Sequence, residues 1–180
     1  MKQKLLNPKW AGLLVVALAS LLNTHAADTK DLKAETEEAV KNFKKADPGL
    51  TDFFNKAAGY AVLPSVGEGG LIVGGQRGDG LVYEKGSVVG KVTVSEVSVG
   101  AQVGGGSFSE VVFFETDEAL KDFKKRKWDM SAKAKANVAA SGVAANAKYE
   151  QGVAVFTLPK SGAMVAAAIG GQKFKFEAIK

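Results

Sequence analysis

Cysteine is absent from this 180-residue chain, and histidine occurs once, as His25. Without cysteine there are no disulfide staples, no Cys–His nucleophile and no zinc site of the usual sulfur-rich type. The missing cysteine also rules out bacterial lipoprotein processing. Long apolar runs are scarce too. Ala11 to Leu22 is an apolar run of twelve residues, whereas a membrane-spanning helix needs roughly 20.

That run has another reading. Lys2, Lys4 and Lys9 precede it, and Asn23-Thr24-His25-Ala26-Ala27 follows with small residues suited to signal peptidase. The order is that of a secretory signal peptide over 1–26, cleaved after Ala26, with Thr24 at −3. An uncleaved N-terminal anchor is the alternative. The expectation is a single domain over 27–180, periplasmic or secreted. His25 would leave with the signal, so Ser–His catalysis goes with it. Removing 1–26 takes Lys+Arg from 24 to 21 and leaves Asp+Glu at 19, a net charge of +2. Overall basicity then gives no argument for a nucleic-acid partner.

What the chain does have is glycine, 21 residues of it, concentrated from Gly59 to Glu115 among β-branched residues. A helix is expected first, over 28–47. Leu32, Thr36, Ala39, Val40 and Phe43 recur at helical spacing, and Pro48-Gly49 stops it. Its outer face mixes Lys30, Lys33, Lys41, Lys44 and Lys45 with Glu35, Glu37 and Glu38, and Glu37–Lys41 has the spacing of an i,i+4 pair. A membrane-touching face and a solvated face of a core helix both fit this mixture. A short helix is expected at about 51–57.

Strands follow at about 60–63, 70–76, 80–84, 87–94, 97–104 and 108–115. Pro64 fits a strand end. Asp79-Gly80 and Lys85-Gly86-Ser87 suit tight hairpin turns. Val92 and Val94, then Val97, Val99, Ala101 and Val103, alternate with small or polar residues, as in antiparallel strands covered on one face. A third helix, capped by Thr116 or Asp117, buries Ala119, Leu120 and Phe123. Residues 129–148 are alanine-rich and read as helix or irregular cover. Closing strands are expected at about 152–159, 162–170 and 172–179. Val99-x-Ala101-x-Val103-Gly104-Gly105 and Val165-x-Ala167-x-Ile169-Gly170-Gly171 resemble one another, which suggests a repeated bend or a shared small-residue bias.

The glycines do not form a nucleotide motif. Gly75-Gln-Arg-Gly78-Asp-Gly80 reverses the dinucleotide fingerprint and runs into strand-like Leu81-Val82-Tyr83, where a phosphate site needs a helix N-terminus. Lys85-Gly86-Ser87 inverts the phosphate-loop order. Glu68, Asp79 and Glu84 are candidates for carboxylate acid/base work, but their spacing selects no pair. Several serines are present, and no motif selects one with a lysine base.

Charge is more informative. Lys121, Lys124, Lys125, Arg126, Lys127, Lys133, Lys135 and Lys148 face only Asp122 and Asp129, so this segment is +6 and the rest of the expected mature chain −4. Trp128 sits beside the densest part. Tryptophan and clustered lysines favour an anionic membrane interface. A helix C-terminus also attracts lysines through its dipole, with the tryptophan packed inward.

Gly59-Tyr60-Ala61-Val62-Leu63-Pro64, then Gly70-Leu71-Ile72-Val73-Gly74-Gly75 and Gly78-x-Gly80-x-Val82, resemble the SYLF domain family of lipid-binding proteins. Ser98-Val99-Gly100-Ala101-Gln102-Val103-Gly104-Gly105, Ser109-Glu110-Val111-Val112-Phe113-Phe114 and Ala119-Leu120-x-x-Phe123 fit the same pattern. The resemblance runs from about Asp28 to the C-terminus. It implies binding of phosphoinositides or other anionic lipids, in part through a basic N-terminal amphipathic segment, here Lys41, Lys44 and Lys45. Some eukaryotic members are associated with actin; export would place this chain away from both actin and phosphoinositides.

The sequence therefore predicts an α+β fold: an antiparallel, strongly bent glycine-rich sheet or partial barrel, with N-terminal helices and one later helix packed on it. The expected function is non-enzymatic binding of anionic phospholipid or a membrane surface, without cofactor, metal or nucleic acid. The expected contacts are Lys124, Lys125, Arg126, Lys127, Trp128, Lys133 and Lys135, supported by Lys41, Lys44 and Lys45. A structural or protein-interaction domain with an envelope protein partner is the alternative.

Overall fold

The structure, a computed structural model, describes residues 11–69, 73–99, 106–125, 128–129, 143–160, 166–167 and 172–179. For 11–28 and some residues at element ends it describes the backbone alone. In chain order the elements are α1 (Ala11–Ala46), α2 (Leu50–Lys56), β1 (Gly59–Gly69), β2 (Val73–Glu84), β3 (Ser87–Val99) and β4 (Gly106–Phe114), then α3 (Asp117–Phe123), β5 (Trp128–Asp129), α4 (Val143–Asn146), β6 (Val153–Pro159), β7 (Ala166–Ala167) and β8 (Lys173–Ala178). The strands make one sheet in the order β5-β8-β3-β2-β1-β4-β6-β7, and every pairing is antiparallel. The fold is α+β, as the sequence predicts.

The sheet is covered on both faces. On the outer face, Ala39 and Phe43 of α1 and Leu50 at the start of α2 pack on Val62, Leu81, Tyr83, Val111, Phe113 and Phe156. On the inner face, Leu120 and Phe123 of α3 pack on Ala61, Leu63, Val82, Val112, Phe114, Phe174 and Phe176. Strands buried on both sides need consecutive apolar residues, and Val111-Val112-Phe113-Phe114 supplies them. β3 and β8 alternate instead: Val92, Val94, Phe174 and Phe176 face inward while Lys91, Thr93, Lys173 and Lys175 do not.

Phe123 shows how far the sheet bends. Its ring lies 4.6 Å from Phe114 on β4 and 5.6 Å from Phe174 on β8, strands separated by β1, β2 and β3 in the order. Gln172, just before β8, likewise reaches the buried Glu110 of β4, with Nε2 donating to Oε2 at 2.7 Å. The concave side thus closes around α3.

The bend has a local cause in β1. Ala61 and Leu63 face the inner core, and so does Val66, which breaks the period of two. The register shifts between Val62 and Ser65, the signature of a β-bulge. Pro64, expected at a strand end, sits inside this bulge, where its missing N–H costs no ladder bond.

Gly80 explains a second difference. Arg77-Gly78-Asp79-Gly80, expected as a turn, lies within β2, so the expected strands 70–76 and 80–84 belong to one element as far as they are described. A Cβ on Gly80 would stand 2.1 Å from the Val62 carbonyl oxygen. The glycine is there for close approach of the bulged neighbour, not for reversal. The expected strands 87–94 and 97–104 also merge, into β3, which is described to Val99. The real reversal is Lys85-Gly86, with φ of 49° and 78°. Two consecutive positive φ values suit the right-handed twist of the flanking strands.

Helix α1 carries the expected stripe, with Thr36, Ala39 and Phe43 buried. Its backbone continues without a break across the expected cleavage point. Thr36 is satisfied: its hydroxyl donates to Lys33 O at 2.9 Å and lies 2.6 Å from the Tyr83 hydroxyl. The expected Glu37–Lys41 pair does not form; Glu37 instead lies 3.9 Å from Lys33. At the α1–α2 turn the buried Asp47 carboxylate accepts from Gly49 N at 3.0 Å and from Ala144 N at 2.9 Å. One side chain thereby fastens α4 to the helical layer. Most of the alanine-rich segment lies outside the described residues.

Candidate basic surface

Thr116 caps α3, its hydroxyl accepting from Ala119 N at 3.2 Å. With Leu120 and Phe123 turned into the inner core, Lys121 and Lys125 are exposed. Lys124 reaches across to the end of β2, where its Nζ donates to Glu84 Oε2. Their side chains keep 25% and 31% of their exposure, so the pair is half-open to water. Lys125 turns instead to Asp122, at 2.7 Å.

Lys124 is not alone at Glu84. The Lys124 hydrogen bond holds the Glu84 carboxyl below the ordinary carboxylate range, and burial opposes this. The charges of Lys124, Lys85 and Lys121 act in the same direction as that hydrogen bond. Lys124, at the end of α3, thus pairs with the carboxylate, and the charges of Lys121 on α3 and Lys85 in the turn act on it as well. The two-residue hairpin places Lys85 there, at the end of β2. The sequence alone offers Glu84 as a possible acid and gives no reason to join Lys85 to the site. No pattern connects position 84 to position 124.

The remaining expected contacts divide. Arg126, Lys127, Lys133 and Lys135 lie outside the described residues. Trp128, in β5, is described by its backbone, which pairs with Phe174 of β8. Lys41 and Lys45 are exposed on α1, and Lys44 Nζ stands 5.0 Å over the Phe54 ring. Helix α1 packs on the outer face and α3 on the inner face. The two expected groups of lysines are therefore attached to opposite sides of the sheet.

Of the carboxylate candidates, Asp79 and Glu84 do not converge. Asp79 accepts from Thr93 Oγ1 at 2.7 Å, on the face opposite Glu84 by strand alternation. The Glu68 side chain lies outside the described residues. Among the described residues, no helix is long and apolar enough to cross a membrane.

No family model matches the chain. It is 25% identical over 174 residues to Beta cell expansion factor A of Aeromonas veronii, which covers 95% of this chain. The chain spans about 60% of the length of that relative. A crystal structure of a beta-barrel-like, uncharacterized protein from Brucella abortus is also similar. It shares 17% identity at a TM-score of 0.36, over 82% of this chain and 93% of that one.

Proposed function

We propose that this chain is an exported, non-enzymatic binder of anionic lipid, acting at a membrane surface as a SYLF-like domain. The observation that carries the reading is the Lys124–Glu84 ion pair at the end of β2, with Lys85, Lys121 and Lys125 exposed on the turn and helix that meet there. Such an ion pair is worth about 0–1 kcal/mol in water, so a lipid phosphate can take Lys124 from Glu84 at little cost. Each lysine held near an anionic bilayer contributes about 1 kcal/mol. Lys125 adds to the same helix, and Arg126 and Lys127 follow it in sequence. Lys41 and Lys45 then serve as a second contact from the helical side.

Vesicle flotation tests the reading. The full chain should float with phosphatidylglycerol vesicles and not with phosphatidylcholine vesicles, and higher salt should release it. Equal flotation with both, or with neither, overturns the proposal. Loss of both together with capture of an envelope protein would favour the interaction-domain alternative.

A further inference from the structure

A second cationic feature lies on the outer face of β2, β3 and β8, away from α3. The register sets Arg77 opposite Ser95, and Ser95 opposite Lys173. Residues opposite one another project from the same face, and all three are exposed. Adjacent strands lie about 4.8 Å apart, so a guanidinium and an ammonium rise from positions about 10 Å apart with one hydroxyl between them.

Among the described residues, neither Arg77 nor Lys173 has an ion-pair partner. On β1 the row continues to Gly67, where a Cβ would meet nothing nearer than the Arg77 carbonyl oxygen at 4.0 Å. No side chain therefore crowds the guanidinium from that side. On the far side, the backbone of Asp129 in β5 pairs with Lys173. In the next rows, Asp79 accepts from the Thr93 hydroxyl at 2.7 Å and Glu177 pairs with Lys175 at 2.5 Å. Beside the row, on the same face, opens a groove of about 440 Å³ whose lining includes Thr93, Lys91, Lys175, Asp79, Glu177 and Glu35.

We propose that the Arg77–Ser95–Lys173 row is an oxyanion site that takes a phosphate monoester, with the polar remainder of the ligand lying in the adjoining groove. An arginine fork offers two parallel N–H donors to two phosphate oxygens. Lysine supplies a point charge to a third oxygen, and the serine hydroxyl donates between them. The hydroxyls and paired charges of the groove suit a polyol better than an acyl chain. This site is independent of the α3 lysines.

The test is an amide NMR titration of the full chain with inorganic phosphate and with glycerol 3-phosphate, against chloride at matched ionic strength. Saturable shifts are expected at Arg77, Ser95 and Lys173. Arg77→Gln with Lys173→Gln should weaken binding by about tenfold or more, and Lys160→Gln, at an exposed lysine just after β6, should leave it unchanged. Gly67→Asp, which sets a carboxylate beside Arg77, should weaken it without touching either cation. Shifts that track ionic strength, spread over all exposed lysines or survive these variants overturn the site. Flotation on phosphatidic acid vesicles, in a chain carrying Lys85→Asn, Lys121→Gln and Lys124→Gln so that the basic surface at α3 does not contribute, separates the sources. Flotation lost in Arg77→Gln with Lys173→Gln identifies a lipid headgroup as ligand. Unchanged flotation with lost glycerol 3-phosphate binding identifies a soluble phosphate. Binding of neither probe overturns the proposal.

Discussion

Lys124 and Glu84, forty residues apart in sequence, are joined by a hydrogen-bonded ion pair at the end of β2. The pair sets one lysine of a basic group against an internal carboxylate, which then competes with any external anion. Glu84→Gln removes that competitor and frees Lys124. Its affinity for anionic vesicles should rise about fivefold, as expected for one more lysine worth about 1 kcal/mol at the surface. A fall in affinity would mean that Glu84 positions the lysines rather than competing for them.

The same pair gives a pH dependence. The Glu84 carboxyl is held below its ordinary value, chiefly by the Lys124 hydrogen bond. A depressed folded-state value means that the contribution to stability is present above the unfolded carboxylate range. It is lost as pH falls through the folded value. Acid titration of thermal stability should therefore show a component below the usual carboxylate range that is missing in Glu84→Gln. Identical acid profiles would contradict the assignment.

Asp47 makes a separate prediction about stability. Its buried carboxylate accepts from the amides of Gly49 and Ala144. Asp47→Ala leaves those donors without their acceptor and should cost about 1–3 kcal/mol in chemical denaturation. Asp47→Asn keeps one acceptor oxygen and should cost less.

Three glycines should respond differently to alanine. At Gly80 the new Cβ would stand 2.1 Å from the Val62 carbonyl oxygen, so β1 and β2 must part there, at a cost of roughly 3 kcal/mol or more. At Gly86, φ of 78° strains the new side chain although nothing crowds it, and the cost should be about 1 kcal/mol. At Gly67 the space is open, and the change should stay within about 0.5 kcal/mol. Equal effects at Gly80 and Gly67 would show that β1 and β2 do not approach as closely as described.

Phe123→Ala tests the closure of the concave side. The ring touches Phe114 and Phe174 from strands far apart in the order. Truncation should cost about 3–5 kcal/mol by denaturation.

Much of this fold is legible in sequence because local patterns report local burial. Thr36, Ala39 and Phe43 mark the inward stripe of α1, and Thr116 announces the start of α3. The Val92–Val94 alternation marks a strand covered on one face. Glycine misleads where its role is tertiary. Gly80 looks like a turn residue, yet its reason is a neighbouring carbonyl that only the folded sheet brings near. The bulge at Pro64 is hidden for the same reason. In the basic surface, Lys124 and Lys125 can be read from their clustering. Lys85 and the counter-charge Glu84 cannot, since it takes the packing of α3 over the end of β2 to bring them together. The Arg77–Ser95–Lys173 row spans three strands and has no trace in linear spacing.

The central claim is most directly tested by flotation of the chain with phosphatidylglycerol vesicles at low and high salt. The comparison is with a variant carrying Lys85→Asn, Lys121→Gln and Lys124→Gln, in which asparagine preserves the positive-φ turn. With the variant shown folded by circular dichroism, salt-sensitive flotation of the natural chain and at least about tenfold weaker flotation of the variant are expected. Undiminished flotation of the folded variant would contradict the claim.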